Sequence, residues 1–347
     1  VSAINDRPAP GWTGRRESFY SVDVGALDQS RYPGRAGSEG ERPMIASDLV
    51  LIAGAGGTGR TVLEQLRARD WPVRAMVRRD DERAAELRAL GADVVVGDLT
   101  RPENVAAALE GVGRMYFAMP VSPDHLLAAT VVATVARERG QLDALVGMSQ
   151  MAVSEMAATG AGKAESHQHR LHWLAEQVFE WSGQPVVHIR PTVFLENPLF
   201  TTLTARSIRE NGTIALPFGT GRTAPVAVED VARVVTTVLR DPAPHVGHAY
   251  ELAGPRMVDM TEMAEDFSRA LGRPVSYVDV PLDQWRAEVL AKAGLPPHVE
   301  QHLATILIRL HQENRYDAAS DDVERVTGVP ARTIEAFVAA HRDFYLG

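Results

Sequence analysis

The stretch HQHRLHWLAE, His167 to Glu176, holds three histidines, a tryptophan and a glutamate within ten residues. Imidazoles titrate near neutral pH, so such a cluster could move protons or bind a divalent metal. On a helix, at ~100° per residue, His169, His172, Trp173 and Glu176 share one face. Leu171, Leu174 and Val178 share the other, with His167 among them. The apolar stripe has to pack on the body of the protein, so the histidine face is expected to look away from it, into a cleft or a subunit contact. His169, His172 and Glu176 have the offsets of a helical metal site, but no second element offers a further ligand, and no metal is expected. Two readings of the face remain: a surface pair of His172 with Glu176 worth ~0.2–0.5 kcal/mol, or a His172 that touches cofactor or substrate.

A second stretch, GAGGTG, fits GxGxxG with Gly54, Gly56 and Gly59. It follows an apolar strand and opens a helix, the context in which this spacing binds a dinucleotide. Gly54 allows the tight turn, Gly56 lets backbone approach the pyrophosphate, and Gly59 permits close packing of helix on strand. Gly57 and Thr58 then lie at the helix start, where unpaired N–H groups favour phosphate. Where an NAD site offers an acid about 20 residues further on, this chain has Arg78 and Arg79. Guanidinium groups pair with a 2′-phosphate that a carboxylate would repel. NADP is therefore expected over NAD, with Arg60 as a further phosphate contact or a solvated side chain. Asp80 and Asp81 follow the strand end and could pair with those arginines.

The elements needed to position these residues are legible. LVLIAG, PVRAMVR, ADVVVGD, GRMYFAMP, LDALVGMS and QPVVHIRP read as strands alternating with periodic helical segments. That alternation predicts an α/β fold with a doubly wound parallel sheet of Rossmann type. Beyond residue 200, VEDVARVVTTVLRD and TEMAEDFSRALG read as helices, and HAYELAG and VSYVDVP as strands. This is expected to form a smaller, interleaved C-terminal α/β substrate region over 201–347, after a nucleotide-binding domain over 46–200. Residues 1–45, rich in Pro, Gly and Arg, read as an extended arm or one packed on the body or a second subunit, which makes a homodimer a possibility.

The 347 residues are 45% apolar and 23% charged, enough to build a sizeable core. The formal charge of −9 argues against a nucleic-acid groove. No apolar run reaches the ~20 residues of a membrane span, and no secretory signal opens the sequence. Cysteine is absent, which excludes thiolate chemistry. A cytoplasmic protein with a small-molecule substrate is expected.

At VLIAGAGGTGR, VRAMVRR, VVVGDL, HWLAEQVFEWSG, VVHIRPTVFLEN, PVAVEDVAR and YELAGP, the chain resembles the NmrA-like group of atypical short-chain dehydrogenases/reductases, over about residues 46 to 345. The resemblance implies that Gly97, Asp98 and Leu99 flank an adenine, and that Ala118, Met119 and Pro120 line the cofactor groove. Catalytic relatives use a Tyr and a Lys four residues later for proton transfer. None of the seven tyrosines here has that partner; counting back from IRP, Gln168 and His172 stand in their places, while Ser149 is retained. A glutamine is no acid at neutral pH. Gln168 is thus expected to contact substrate, with Glu196 and Asn197 of the FLEN loop, and His172 to supply the proton beside Ser149.

Three functions are compatible with this set. The first is an NADPH-dependent reductase of a small, largely apolar carbonyl, enone or quinone-like substrate. The second is an NADP-binding, redox-sensing regulator without turnover. The third is a non-redox cyclase or isomerase on the same scaffold.

Overall fold

The computed structural model describes residues 47–151, 153, 156, 166–307 and 319–347. The expected arm lies outside these residues. Branched apolar runs form the strands β1 (Val50–Ala53), β2 (Val73–Val77), β3 (Asp93–Val96), β4 (Arg114–Phe117), β5 (Ala144–Met148), β6 (Val186–Pro191), β7 (Thr213–Leu216), β8 (Ala249–Leu252) and β9 (Ser276–Asp279). Seven of them pair in the order β3-β2-β1-β4-β5-β6-β8, every pairing parallel. All four residues of β1 are buried, because helices cover both faces of a parallel sheet.

The connecting helices are α1 (Thr58–Arg67), α2 (Glu82–Ala89), α3 (Pro102–Ala108), α4 (His125–Arg139), α5 (His167–Trp181), α6 (Thr202–Asn211) and α7 (Val228–Arg240). Beyond them lie α8 (Met260–Leu271), α9 (Leu282–Trp285), α10 (Pro297–Thr305), α11 (Asp322–Thr327), α12 (Ile334–Ala340) and α13 (Arg342–Leu346). Val62, Leu63 and Leu66 of α1 and Val231, Val234, Val235 and Val238 of α7 share one core with the sheet. Their spacing of three and four places them on a single stripe of each helix. Residues of α3, α4 and α5 build the core on the opposite face.

The chain beyond residue 200 contributes to two bodies. β8 adds the last strand to the main sheet. Phe200, Phe218, Phe267, Trp285, Phe337 and Tyr345 form a separate apolar core, beside which β7 and β9 make a small parallel pair. β7 was not anticipated, since four residues between a helix and a glycine-rich turn carry too little periodicity. Among the described residues no helix is long and apolar enough to cross a membrane.

The strand order reverses direction between β1 and β4, and in open α/β sheets ligands bind in the crevice beyond the strand ends at that point.

Candidate functional site

The glycine loop sits in this crevice, and its three motif positions are required for different reasons. Gly54 has φ 97°, and a Cβ there would lie 2.0 Å from the carbonyl oxygen of Ala118 on the neighbouring strand's continuation. At Gly59 a Cβ would meet the Gly54 carbonyl oxygen at 2.1 Å, so α1 could not approach β1. Gly56 and Gly57 have nothing within 4 Å of the position a Cβ would take. Their backbone is therefore bare toward open space. No side chain caps the start of α1, which leaves its first turn to an anion.

Around this loop runs a cleft of about 680 Å³, within the size range of cofactor pockets. Its floor is Gly54 to Gly59; Arg78, Arg79 and Arg83 rim one end, and Gly97 and Leu99 follow β3. Ala118, Met119 and Pro120 form a wall after β4, and Tyr116, Met148 and Phe194 line the other end. The Tyr116 hydroxyl is buried with no hydrogen-bond partner among the described residues. A glycine cradle, a cationic rim and an unpaired buried donor together fit a phosphorylated dinucleotide.

The acids after β2 are engaged by other partners, although Asp81 also lines the cleft. Asp80 pairs with Arg88 at 2.7 Å, which holds its carboxyl below the ordinary range. Asp81 caps α2 by accepting from the Ala84 N–H at 3.3 Å. Neither pairs with Arg78 or Arg79, which among the described residues make no salt bridge and are exposed. Asp98 accepts from the Thr100 N–H and hydroxyl at 2.9 and 2.8 Å, bonds that lower its pKa, with Arg78 and Arg101 adding smaller effects. It shapes the turn that brings Gly97 and Leu99 to the cleft. Arg60 is held by Glu64 and Glu86 beside an adjoining groove that also touches Gly56 and Gly57.

The histidine face of α5 is not where the periodicity put it. Gln168, His169, Leu171, His172, Ala175, Glu176 and Phe179 form the buried face, whereas Trp173 is half-buried and Trp181 exposed. The polar groups on this face are buried because they find partners in the interior. Glu176 accepts two bonds from Arg190 of β6, at 3.0 and 2.7 Å, rather than pairing with His172. His169 packs edge-on against His302 of α10 with ring centres 5.1 Å apart.

His172 lies with its ring centre 4.1 Å from that of His125. Gln168 explains its protonation state. The Gln168 Oε1 accepts from the Ser122 N–H at 3.1 Å, so its amide nitrogen faces the His172 Nε2 at 3.2 Å and donates to it. His172 is thereby a neutral acceptor at Nε2. Burial pushes its pKa well below the ordinary value, reinforced by His125, His169 and His302 and opposed by the Met148 carbonyl. It is absent from the cleft lining. Such a ring is not an imidazolium acid at neutral pH, its remaining N–H lies on the Met148 carbonyl side, and it does not reach the cleft where the proton was expected to be delivered.

Ser149 is 4% exposed; its N–H donates to the Ile189 carbonyl at 2.7 Å, and its hydroxyl has no partner among the described residues. Both oxygens of Glu196 accept from the Val228 N–H at 3.0 Å, capping α7, and burial raises its pKa. Asn197 accepts from the Leu199 N–H at 3.0 Å. These two residues order the loop and do not line the cleft. Sequence reasoning missed Arg83, Met76, Tyr116 and Met148. Tyr116 and Met148 sit near the C-terminal ends of β4 and β5, and that position was a usable signal.

A parallel sheet with a glycine cradle at its switch point defines a Rossmann-type dinucleotide-binding protein. Within that class, the chain belongs to the NmrA-like family, whose model matches residues 46–339. It is 31% identical over 296 residues to an NAD(P)H azoreductase of Xenophilus azovorans, covering 84% of this chain and 97% of that protein. It is also 31% identical over 304 residues to a (4-alkanoyl-5-oxo-2,5-dihydrofuran-3-yl)methyl phosphate reductase of Streptomyces griseus, covering 86% and 99%. The fold is shared with an NADPH-dependent quinone oxidoreductase of Escherichia coli, at TM-score 0.72, 21% identity and coverage of 84% and 99%. It is shared too with NmrA, a negative transcriptional regulator, in complex with NADP, at TM-score 0.71, 20% identity and coverage of 84% and 94%.

Proposed function

We propose that the protein is an NADPH-dependent reductase of a flat, largely apolar, conjugated acceptor of the quinone or enone type. The observation that carries this reading is the bare Gly56–Gly57 backbone facing a cleft rimmed by Arg78, Arg79 and Arg83, whose neighbouring acids are engaged elsewhere. Bound NADPH supplies a hydride. The glycine loop and the first turn of α1 hold the pyrophosphate, and the arginines hold the 2′-phosphate. Tyr116, Met148 and Phe194 offer an apolar end to the same cleft, where a flat ring system would displace water. Ser149 does not itself line the cleft, but it adjoins the lining residue Met148, and its buried hydroxyl, without a partner among the described residues, is the group proposed to orient a substrate oxygen.

The residues standing in the proton-transfer positions select among acceptors. The Gln168 amide is no acid, and His172 is a neutral acceptor. The site therefore favours substrates whose reduced form is stable as an anion until water protonates it, such as a quinone or a conjugated enone, over an isolated ketone. The same observation favours a second reading, an NADP-binding redox sensor without turnover. Calorimetric titration with NADPH and NADH, then absorbance at 340 nm with quinone, enone and ketone acceptors, decides between them. Tighter NADPH binding with oxidation by the quinone but not the ketone supports the reductase; binding without oxidation by any acceptor supports the sensor. Failure to bind either nucleotide refutes both.

A further inference from the structure

We propose that Gln168 and His172 are positioning residues that latch the β4–α4 turn, and with it one wall of the cleft, onto α5. The turn spans 118–124, and its first half, Ala118, Met119 and Pro120, lines the cleft. The Ala118 N–H is held by the Ala53 carbonyl at 2.9 Å. From Met119 to Asp124, the Ser122 N–H is the point at which the backbone bonds to another element among the described residues, and its acceptor is Gln168. Within the turn, the Asp124 N–H donates to the Ser122 hydroxyl at 3.2 Å and the His125 N–H to the Ser122 carbonyl at 3.3 Å. These bonds close the turn but do not attach it.

His172 completes the grip. It accepts from the Gln168 amide nitrogen, the end of that side chain left over once Oε1 meets Ser122, and so holds the side chain from its other side. Its ring also packs on His125, the first residue of α4, which in turn lies 5.6 Å edge-on to Phe117 at the end of β4. Two side chains one helical turn apart thus hold Ser122 and His125, the far end of the turn. They are 4% and 5% exposed, and such buried bonds are not weakened by competing water. α5 is itself a fixed post: Glu176 ties it to β6 through Arg190, and Ser166 at its start meets His302 Nδ1 of α10 at 2.9 Å. The pair standing where catalytic short-chain dehydrogenases carry their proton-transfer residues is thus structural support for the cofactor wall.

The latch stands on geometry alone, while its effect on cofactor affinity rests on the dinucleotide reading above. Two readouts separate them. Amide hydrogen exchange of the wild type is expected to show a protected Ser122 N–H, and Gln168→Leu should speed exchange across 118–124 by about tenfold, leaving β1 and β6 unchanged. Gln168→Glu, which keeps an acceptor for Ser122 and whose second oxygen can accept from His172 once that ring carries its proton on Nε2, should restore most of the protection. NADPH affinity should fall about tenfold in the Leu variant and recover in the Glu variant. An unprotected Ser122 in the wild type overturns the latch even if Gln168→Leu fails to fold. Equal exchange in the Leu variant and wild type, or losses spread evenly over the sheet, overturns it as well. Wild type that binds no NADPH refutes the cofactor reading instead, and the exchange data still decide the latch.

Discussion

In the proposed reading, cofactor choice turns on Arg78 and Arg79. Both are exposed at the cleft, and Arg83 joins them from the first turn of α2. Charge-assisted bonds to a phosphate are worth about 1.5–3 kcal/mol when well formed, less where solvent screens them. Replacing Arg78 and Arg79 together by Ala should weaken NADPH binding about tenfold while leaving NADH nearly unchanged, as read by titration with each nucleotide. Equal losses for both would place the arginines outside the 2′-phosphate site. The sequence made this pair visible because a charge at a strand end has one sign wherever it points. It could not show that Asp80 and Asp81 would be taken by Arg88 and the α2 N-terminus, since those partners depend on how a helix follows the turn.

Elements were more legible than the orientation of their side chains. Six strand segments before residue 200 fall where branched apolar runs predict them: five are largely buried and leave a near-continuous signature, while the edge strand β3, with no buried residue, is legible from its run of valines alone. α5 was placed correctly in the chain but turned the wrong way, since Glu176 and His172 bury polar atoms on partners from β6 and the β4–α4 turn that no local pattern encodes. The glycine loop offers an element-scale test of what was legible. Gly59→Ala drives a methyl against the Gly54 carbonyl, so it should cost about 1–3 kcal/mol in denaturant unfolding. Gly56→Ala meets nothing within 4 Å, so Tm should hold while NADPH affinity falls about tenfold or more as the methyl enters the phosphate's space. Glu196 gives the converse. As the cap of α7 its replacement by Ala should cost about 1–2 kcal/mol, with NADPH affinity unchanged.

Across the whole molecule, three histidines from three helices, His125 of α4, His172 of α5 and His302 of α10, are buried and held neutral. Burial lowers His125 and His302 to about 4 and His172 well below its ordinary value. The groups facing His172 are His125, His169, His302 and the Met148 carbonyl, with no carboxylate among the causes of its shift. In the unfolded chain all three would protonate below about pH 6.5. Between that pH and the folded pKa the unfolded state binds more protons, so stability rises with pH and is lost on acidification. Each histidine contributes up to about 1.4 kcal/mol per pH unit, and above pH 7 the contribution is constant. Glu196, Asp230 and Asp266, whose carboxyls burial pushes up, act in the opposite sense and offset part of this loss. Urea unfolding at pH 8, 7.5 and 5 should therefore give nearly equal stabilities at the first two and a steep drop at the third. His125→Phe isolates the effect, because neither nitrogen of that ring has a partner among the described residues to lose. The variant should flatten the drop by about 1.4 kcal/mol per pH unit; an unchanged slope would mean that His125 is not held neutral by the fold.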